Sequence, residues 1–139
     1  MQRGLNIALF SLNWKKEMND YKQEFQFEND VLIVRLSGTF PNEMLRSDQN
    51  LFQPLIDECK NYDCKFALID ARNLHVNFST MATFRAGEDA AVLSRFGFRV
   101  AIVAREDMLD PFFEDVAFNR GGNVGVFTDI DTARNWLQA

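Results

Sequence analysis

Three short apolar runs in the second half of the chain each close on a charged or hydroxyl residue and lead towards a helix signal. They are Phe66-Ala67-Leu68-Ile69 before Asp70, Val100-Ala101-Ile102-Val103-Ala104 before Arg105, and Val124-Gly125-Val126-Phe127 before Thr128 and Asp129. Continuous apolar runs of this length between helical stretches predict parallel strands buried on both faces. Upstream, Glu24-Phe25-Gln26-Phe27-Glu28 alternates with the period of a half-exposed strand, and Asn29-Asp30 supplies a two-residue turn. Val31 to Leu36 is a more buried strand halted by Ser37-Gly38, so an antiparallel hairpin opens the domain.

The intervening segments read as helices. Thr39 to Tyr62 is helical in composition, with Pro41 suited to a first turn, and Leu51, Leu55, Ile56 and Cys59 recur on one face. Pro54 predicts a kink there, or two short helices. Ala71 to Phe78 reads as a loop, after which Ser79 or Thr80 caps a helix reaching about Phe96. Asp110-Pro111 starts a short helix carrying Phe112, Phe113, Val116 and Ala117, and Gly121-Gly122 ends it. Thr128-Asp129-Ile130-Asp131 opens the last helix, whose Ile130, Ala133, Trp136 and Leu137 make one apolar stripe. The order ββαβαβαβα gives an α/β fold: a mixed, mostly parallel sheet of about five strands with an N-terminal antiparallel hairpin, flanked by about four helices. In such sheets ligands bind at the carboxyl ends of the strands, which places Asp70, Arg72, Arg105 and Asp107 where a site would form.

A chain of 139 residues, 47% hydrophobic and 25% charged, is one domain with enough mass for a core of its own. Its net charge of −5 argues against nucleic acid, which is held through clustered Lys and Arg. All five lysines precede Phe66 and seven arginines follow it, a skew read as drift in surface composition. Cys59 and Cys64 lack the second pair that a zinc site needs and read as reduced thiols of a cytoplasmic protein. No segment has the ~20 apolar residues of a membrane span. Residues 1–22 read as an extension or arm before a domain of residues 23–139. The apolar stretch Leu5 to Leu12 could serve as a swapped or dimer-forming arm, an interfacial anchor, or sequence upstream of a true start at Met18.

Several of these segments resemble the SpoIIAA-like superfamily, which joins STAS domains with the lipid-binding Sec14-type fold. The resemblance rests on Leu36-Ser37-Gly38, Leu68-Ile69-Asp70-Ala71-Arg72, Arg99 to Val103, and above all Val126-Phe127-Thr128-Asp129 through Ala133-Arg134-Asn135-Trp136-Leu137. It implies a SpoIIAA-like fold from about Phe25 to the C-terminus. It also implies a regulatory role through a protein partner, as in anti-sigma-factor antagonists phosphorylated at the start of the second helix. There the relatives carry Asp-Ser, a small residue, Gly and Leu. Phe78-Ser79-Thr80-Met81-Ala82 keeps hydroxyls but neither the aspartate nor the glycine, which leaves Ser79 and Thr80 as phospho-acceptor candidates beside their reading as a helix cap. The Sec14-type side of the family implies a small apolar, lipid-like ligand.

Other chemistry is thin. His75, the one histidine, could join Ser79 and Asp70 in a hydrolase triad, yet no Gly-x-Ser-x-Gly elbow accompanies them. Asp110, Asp129 and Asp131 have ordinary places at helix starts, and Asp70, Glu106 and Asp107 have Arg72 and Arg105 beside them, so ion pairs are expected rather than a metal. Asn119-Arg120-Gly121-Gly122-Asn123 runs from helix into strand, the wrong way round for a phosphate loop. Fourteen phenylalanines make up most of the aromatic content; most are expected in the core, and a surplus is left to line a pocket or an exposed patch. Phe78, Met81, Phe84, Phe112 and Phe113 are therefore the candidates for an apolar groove or interface between the second and third helices. The expectation is a non-catalytic, cytoplasmic binding or regulatory module without metal or cofactor. It would act through a protein partner and could homodimerise. A carrier of a small apolar ligand is the alternative, and a small serine hydrolase the third reading.

Overall fold

A computed structural model describes residues 5–8, 20–41, 43–44, 50–77, 79–108, 111–119 and 123–139. Six strands form one sheet in chain order: β1 (Leu5–Ala8), β2 (Lys22–Glu28), β3 (Val31–Thr39), β4 (Phe66–His75), β5 (Arg99–Val103) and β6 (Val124–Phe127). Strands β1, β2 and β3 pair antiparallel, and β3 to β6 pair parallel. The helices are α1 (Gln53–Tyr62), α2 (Thr80–Val92), α3 (Pro111–Asn119) and α4 (Ile130–Leu137). Because strand order follows chain order, crossovers of one hand carry α1, α2 and α3 to the same face. The opposite face is left to α4, which follows the last strand.

The two faces have separate cores, fixed by strand alternation. Leu32, Val34, Ala67, Ile69 and Val100 meet Leu55, Ile56 and Cys59 of α1. Val31, Ile33, Leu68, Ala101 and Val103 meet Ala133 and Leu137 of α4. Arg99 fastens α4 twice: its guanidinium lies 3.7 Å from the Trp136 ring centroid and donates to the Trp136 carbonyl at 2.7 and 3.2 Å. The Cys59 and Cys64 sulfurs are buried 3.2 Å apart as free thiols, joining the end of α1 to the residues before β4.

Local chemistry explains most boundaries. Asn29 and Asp30 both take positive φ, 52° and 65°, the backbone that a tight hairpin requires. Asp129 caps α4, its carboxylate accepting from the Thr132 amide at 2.8 Å. Three expectations change. Pro54 starts α1 instead of kinking a longer helix, since a first-turn proline forfeits no helical hydrogen bond. Strand β3 runs through Ser37-Gly38 to Thr39, absorbing a bulge between Arg35 and Ser37. The expected loop after Asp70 is the second half of β4, where Asn73, Leu74 and His75 pair with Ser37, Gly38 and Thr39. Upstream, Leu5–Ala8 adds an edge strand, while residues 1–4 and 9–19, and Gly121-Gly122, lie outside the described residues.

Candidate functional site

Between the sheet and α1, α2 and α3 lies a cavity of about 620 Å³, a volume within the ~300–1,000 Å³ of small-molecule sites. Its floor is one register row crossing five strands: Phe25, Val34, Ile69, Ile102 and Val126 are successive cross-strand partners, and all five line it. Leu51, Phe52, Pro54 and Leu55 of the α1 region, Thr83 and Ala86 of α2 and Phe113 of α3 complete the walls. The space exists because several inward positions carry small side chains. Ala71, Ala86 and Ala104 all reach the lining, and none projects beyond a β-carbon.

The lining turns polar at the carboxyl ends of the parallel strands, where Asn77, Arg105 and Asp107 join Tyr21, Gln23 and Thr83. Tyr21 and Gln23 are 7% and 5% exposed, and the Gln23 amide donates to the Tyr21 hydroxyl at 2.8 Å. Burial pushes the Tyr21 phenol up to about 12, against a smaller opposing effect of the Gln23 hydrogen bond, so the hydroxyl stays protonated. The Tyr21 ring stands edge-on to Phe40 at 5.6 Å. Thr83 gives its hydroxyl proton to the Ser79 carbonyl at 3.1 Å.

The four strand-end residues form two ion pairs. Arg72 grips Asp70 through two hydrogen bonds of 2.9 Å, and Arg105 meets Asp107 at 3.2 Å. Arg105 also donates to the carbonyls of Arg72 and Leu74, which ties β4 to the segment after β5. Burial by itself raises the Asp70 carboxyl, but the Arg72 hydrogen bonds and the charges of Arg72 and Arg35 together outweigh it and hold its pKa below the ordinary 3.8. A carboxyl depressed by folding contributes its full stabilisation above the unfolded-state value and loses it as pH falls through 3.8 towards the folded pKa. Unfolding free energy followed against pH should therefore drop through that window, and Asp70→Asn should flatten the drop. Superimposable acid limbs would remove Asp70 from the account.

Of the expected groove residues, Phe113 lines the cavity, Phe84 is half-buried on α2, and Met81 is 73% exposed. Phe78 lies outside the described residues, and of Thr80 and Phe112 only the backbone is described. Ser79 is the N-cap of α2, its Oγ accepting from the Ala82 amide at 3.1 Å. Among the described residues, no side-chain hydrogen bond joins Ser79, His75 and Asp70: Asp70 is held by Arg72, and His75 is exposed at the end of β4. No group of His, Cys, Asp or Glu suited to a metal occurs among the described residues. Nor is any of their helices long and apolar enough to cross a membrane.

Sequence reasoning missed the Tyr21–Gln23 pair, which straddles the boundary drawn at residue 23. A signal was there. Tyr21, Gln23, Phe25 and Phe27 alternate with Lys22, Glu24, Gln26 and Glu28, so an amide occupies a position on the inward face of an otherwise aromatic row.

No protein-family model matches the chain, and no curated protein does. Solved structures do. An anti-sigma factor antagonist from Mycobacterium paratuberculosis is 10% identical, with 86% of this chain and 96% of that one covered at a TM-score of 0.52. An uncharacterized protein of the DUF3478 family from Shewanella loihica, described as having a SpoIIAA-like fold, is 19% identical over 99% of this chain and 96% of its own, at a TM-score of 0.49. The chain has the SpoIIAA-like α/β fold.

Proposed function

We propose that this SpoIIAA-like domain is a non-catalytic, cytoplasmic binding module that carries or senses a small apolar molecule. The observation that supports it is the 620 Å³ cavity, floored by a single apolar row of the sheet. Apolar side chains of the sheet and of α1, α2 and α3 converge on this space without filling it. Apolar walls with a few converging polar groups are the usual make-up of a small-molecule site.

A second reading, regulation through a protein partner, is favoured by Met81 on α2 and Phe118 on α3, which are 73% and 75% exposed. The two readings are compatible: α2 and α3 wall the cavity through Ala86 and Phe113 while presenting these side chains outward.

Mass spectrometry of the freshly purified protein under native and then denaturing conditions tests the first reading. A mass excess that disappears on denaturation is expected. Ala86→Phe, which projects a ring into the cavity from α2, should abolish that excess while leaving the fold intact. A ligand-free wild type that also fails to take up added apolar compounds would transfer the proposal to the protein-partner reading.

A further inference from the structure

Tyr21 and Gln23 are polar, deeply buried members of a mostly apolar lining. Both residues are more than nine-tenths buried and both line the space. A hydrophobic side chain of similar size would be the cheaper occupant of either position, because a polar group taken from water must recover its hydrogen bonds. Their mutual bond recovers only part of them. The Tyr21 oxygen accepts from Gln23, and among the described residues it has no other side-chain partner, so its own proton remains available. Gln23 likewise keeps its carbonyl oxygen and a second amide hydrogen. The pair therefore offers a donor and an acceptor at one end of an apolar space.

The remaining polar lining is committed elsewhere. Thr83 donates back to its own helix turn. Arg105 is occupied by two backbone carbonyls and by Asp107, whose carboxylate balances its charge. Asn77 also has a partner of its own. Arg105 already has Asp107 as a counter-ion and two carbonyl acceptors, so among the described residues the uncommitted hydrogen-bonding groups of the lining are the neutral Tyr21 and Gln23.

We infer that the cavity takes an uncharged amphiphile, an apolar body ending in a single hydroxyl or carbonyl, and that Tyr21 and Gln23 hydrogen-bond this head group. The inference rests on the carrier reading and sharpens it by naming the ligand class. Tyr21 and Gln23 act as specificity-determining residues, since a site built to hydrogen-bond a polar group rejects the analogue that lacks it.

Titration calorimetry of the full chain with octanol, octane and octanoate at neutral pH tests it. Octanol should bind about tenfold more tightly than octane, the effect of one well-made hydrogen bond, and octanoate should bind no better than octane. Tyr21→Phe and Gln23→Leu should each erase most of the octanol-over-octane preference, read as the ratio of the two affinities in the same variant. The three wild-type titrations decide the matter even if a variant fails to fold. Equal affinity for octanol and octane would overturn the inference and leave the carrier reading standing. Octanoate binding most tightly would overturn it in favour of Arg105 as the anchor. Failure of all three to bind would overturn the carrier reading and this inference with it.

Discussion

Leu68→Ala is expected to lower the unfolding free energy by about 2–5 kcal/mol, a large part of the ~5–15 kcal/mol that holds a domain of this size together. Leu68 is 0% exposed on β4, an interior strand with β3 and β5 on either side. It is paired with Ile33 and Ala101, and its side chain packs in the cluster that α4 closes with Ala133 and Leu137. Two losses combine: the transfer free energy of the removed atoms, and the cavity left when neighbours on a hydrogen-bonded sheet cannot collapse into it. Urea or thermal unfolding of the two proteins reads the difference. A loss below ~1 kcal/mol would mean that α4 does not press on the sheet as described. Because Leu68 packs on the opposite face of the sheet from the cavity, the folded fraction of the variant should keep the octanol affinity expected of the wild type.

Gly38→Ala is expected to cost about 2–4 kcal/mol, through positive-φ strain and forced backbone displacement. Gly38 has φ of +86°, and a β-carbon there would lie 2.0 Å from the Asp20 carbonyl oxygen. Neither partner can yield easily, because the contact is with backbone and Asp20 also accepts a hydrogen bond from the Thr39 amide at 3.1 Å. This close approach sets the chain just before β2 against the end of β3, where Tyr21 enters the cavity wall. The variant should therefore lose stability and ligand affinity together, whereas Leu68→Ala should lose stability alone. Unfolding and octanol titration on the same preparations separate the two. Wild-type stability in Gly38→Ala would show that the end of β3 does not bear on Asp20.

These two sites also mark how far the sequence could be read. Leu68 was legible: an unbroken run of Phe66 to Ile69 has one sensible home, a strand covered on both faces, and the structure places it there. The hairpin turn, the proline-led α3 and the Asp129 cap were legible for similar reasons, since each is dictated within a few residues. The second half of β4 was not. Arg72-Asn73-Leu74-His75 has the composition of a loop, and it extends only because the end of β3 lies beside it to pair with it. Likewise Pro54 could kink a helix or begin one, and its local geometry suits both outcomes.

The candidate site divides along the same line. Strand-end residues were found because topology places them at the carboxyl edge of a parallel sheet. The ion pairs expected from Arg72 and Arg105 beside the carboxylates are present as Asp70 with Arg72 and Asp107 with Arg105. The ties of Arg105 to the Arg72 and Leu74 carbonyls emerged only in three dimensions. The phenylalanines and the methionine expected to form a groove were chosen from aromatic abundance and helix placement, and of them Phe113 reaches the cavity while Met81 faces solvent. A cavity is made by what side chains leave unfilled. Ala71, Ala86 and Ala104 lie far apart in sequence and look like ordinary alanines until the fold lines them up.

What the sequence determined by itself was the order of elements from β2 to α4 and the class of sheet they build, because hydrophobic periodicity, turn residues and helix caps act over short distances along the chain. Only the tertiary structure decided that Leu5–Ala8 adds a sixth strand, that one register row floors a ligand-sized cavity, and that a buried tyrosine and glutamine stand at its polar end. Register, void volume and the partners of a buried polar group are relations between segments remote in sequence, set by the packing of the whole domain.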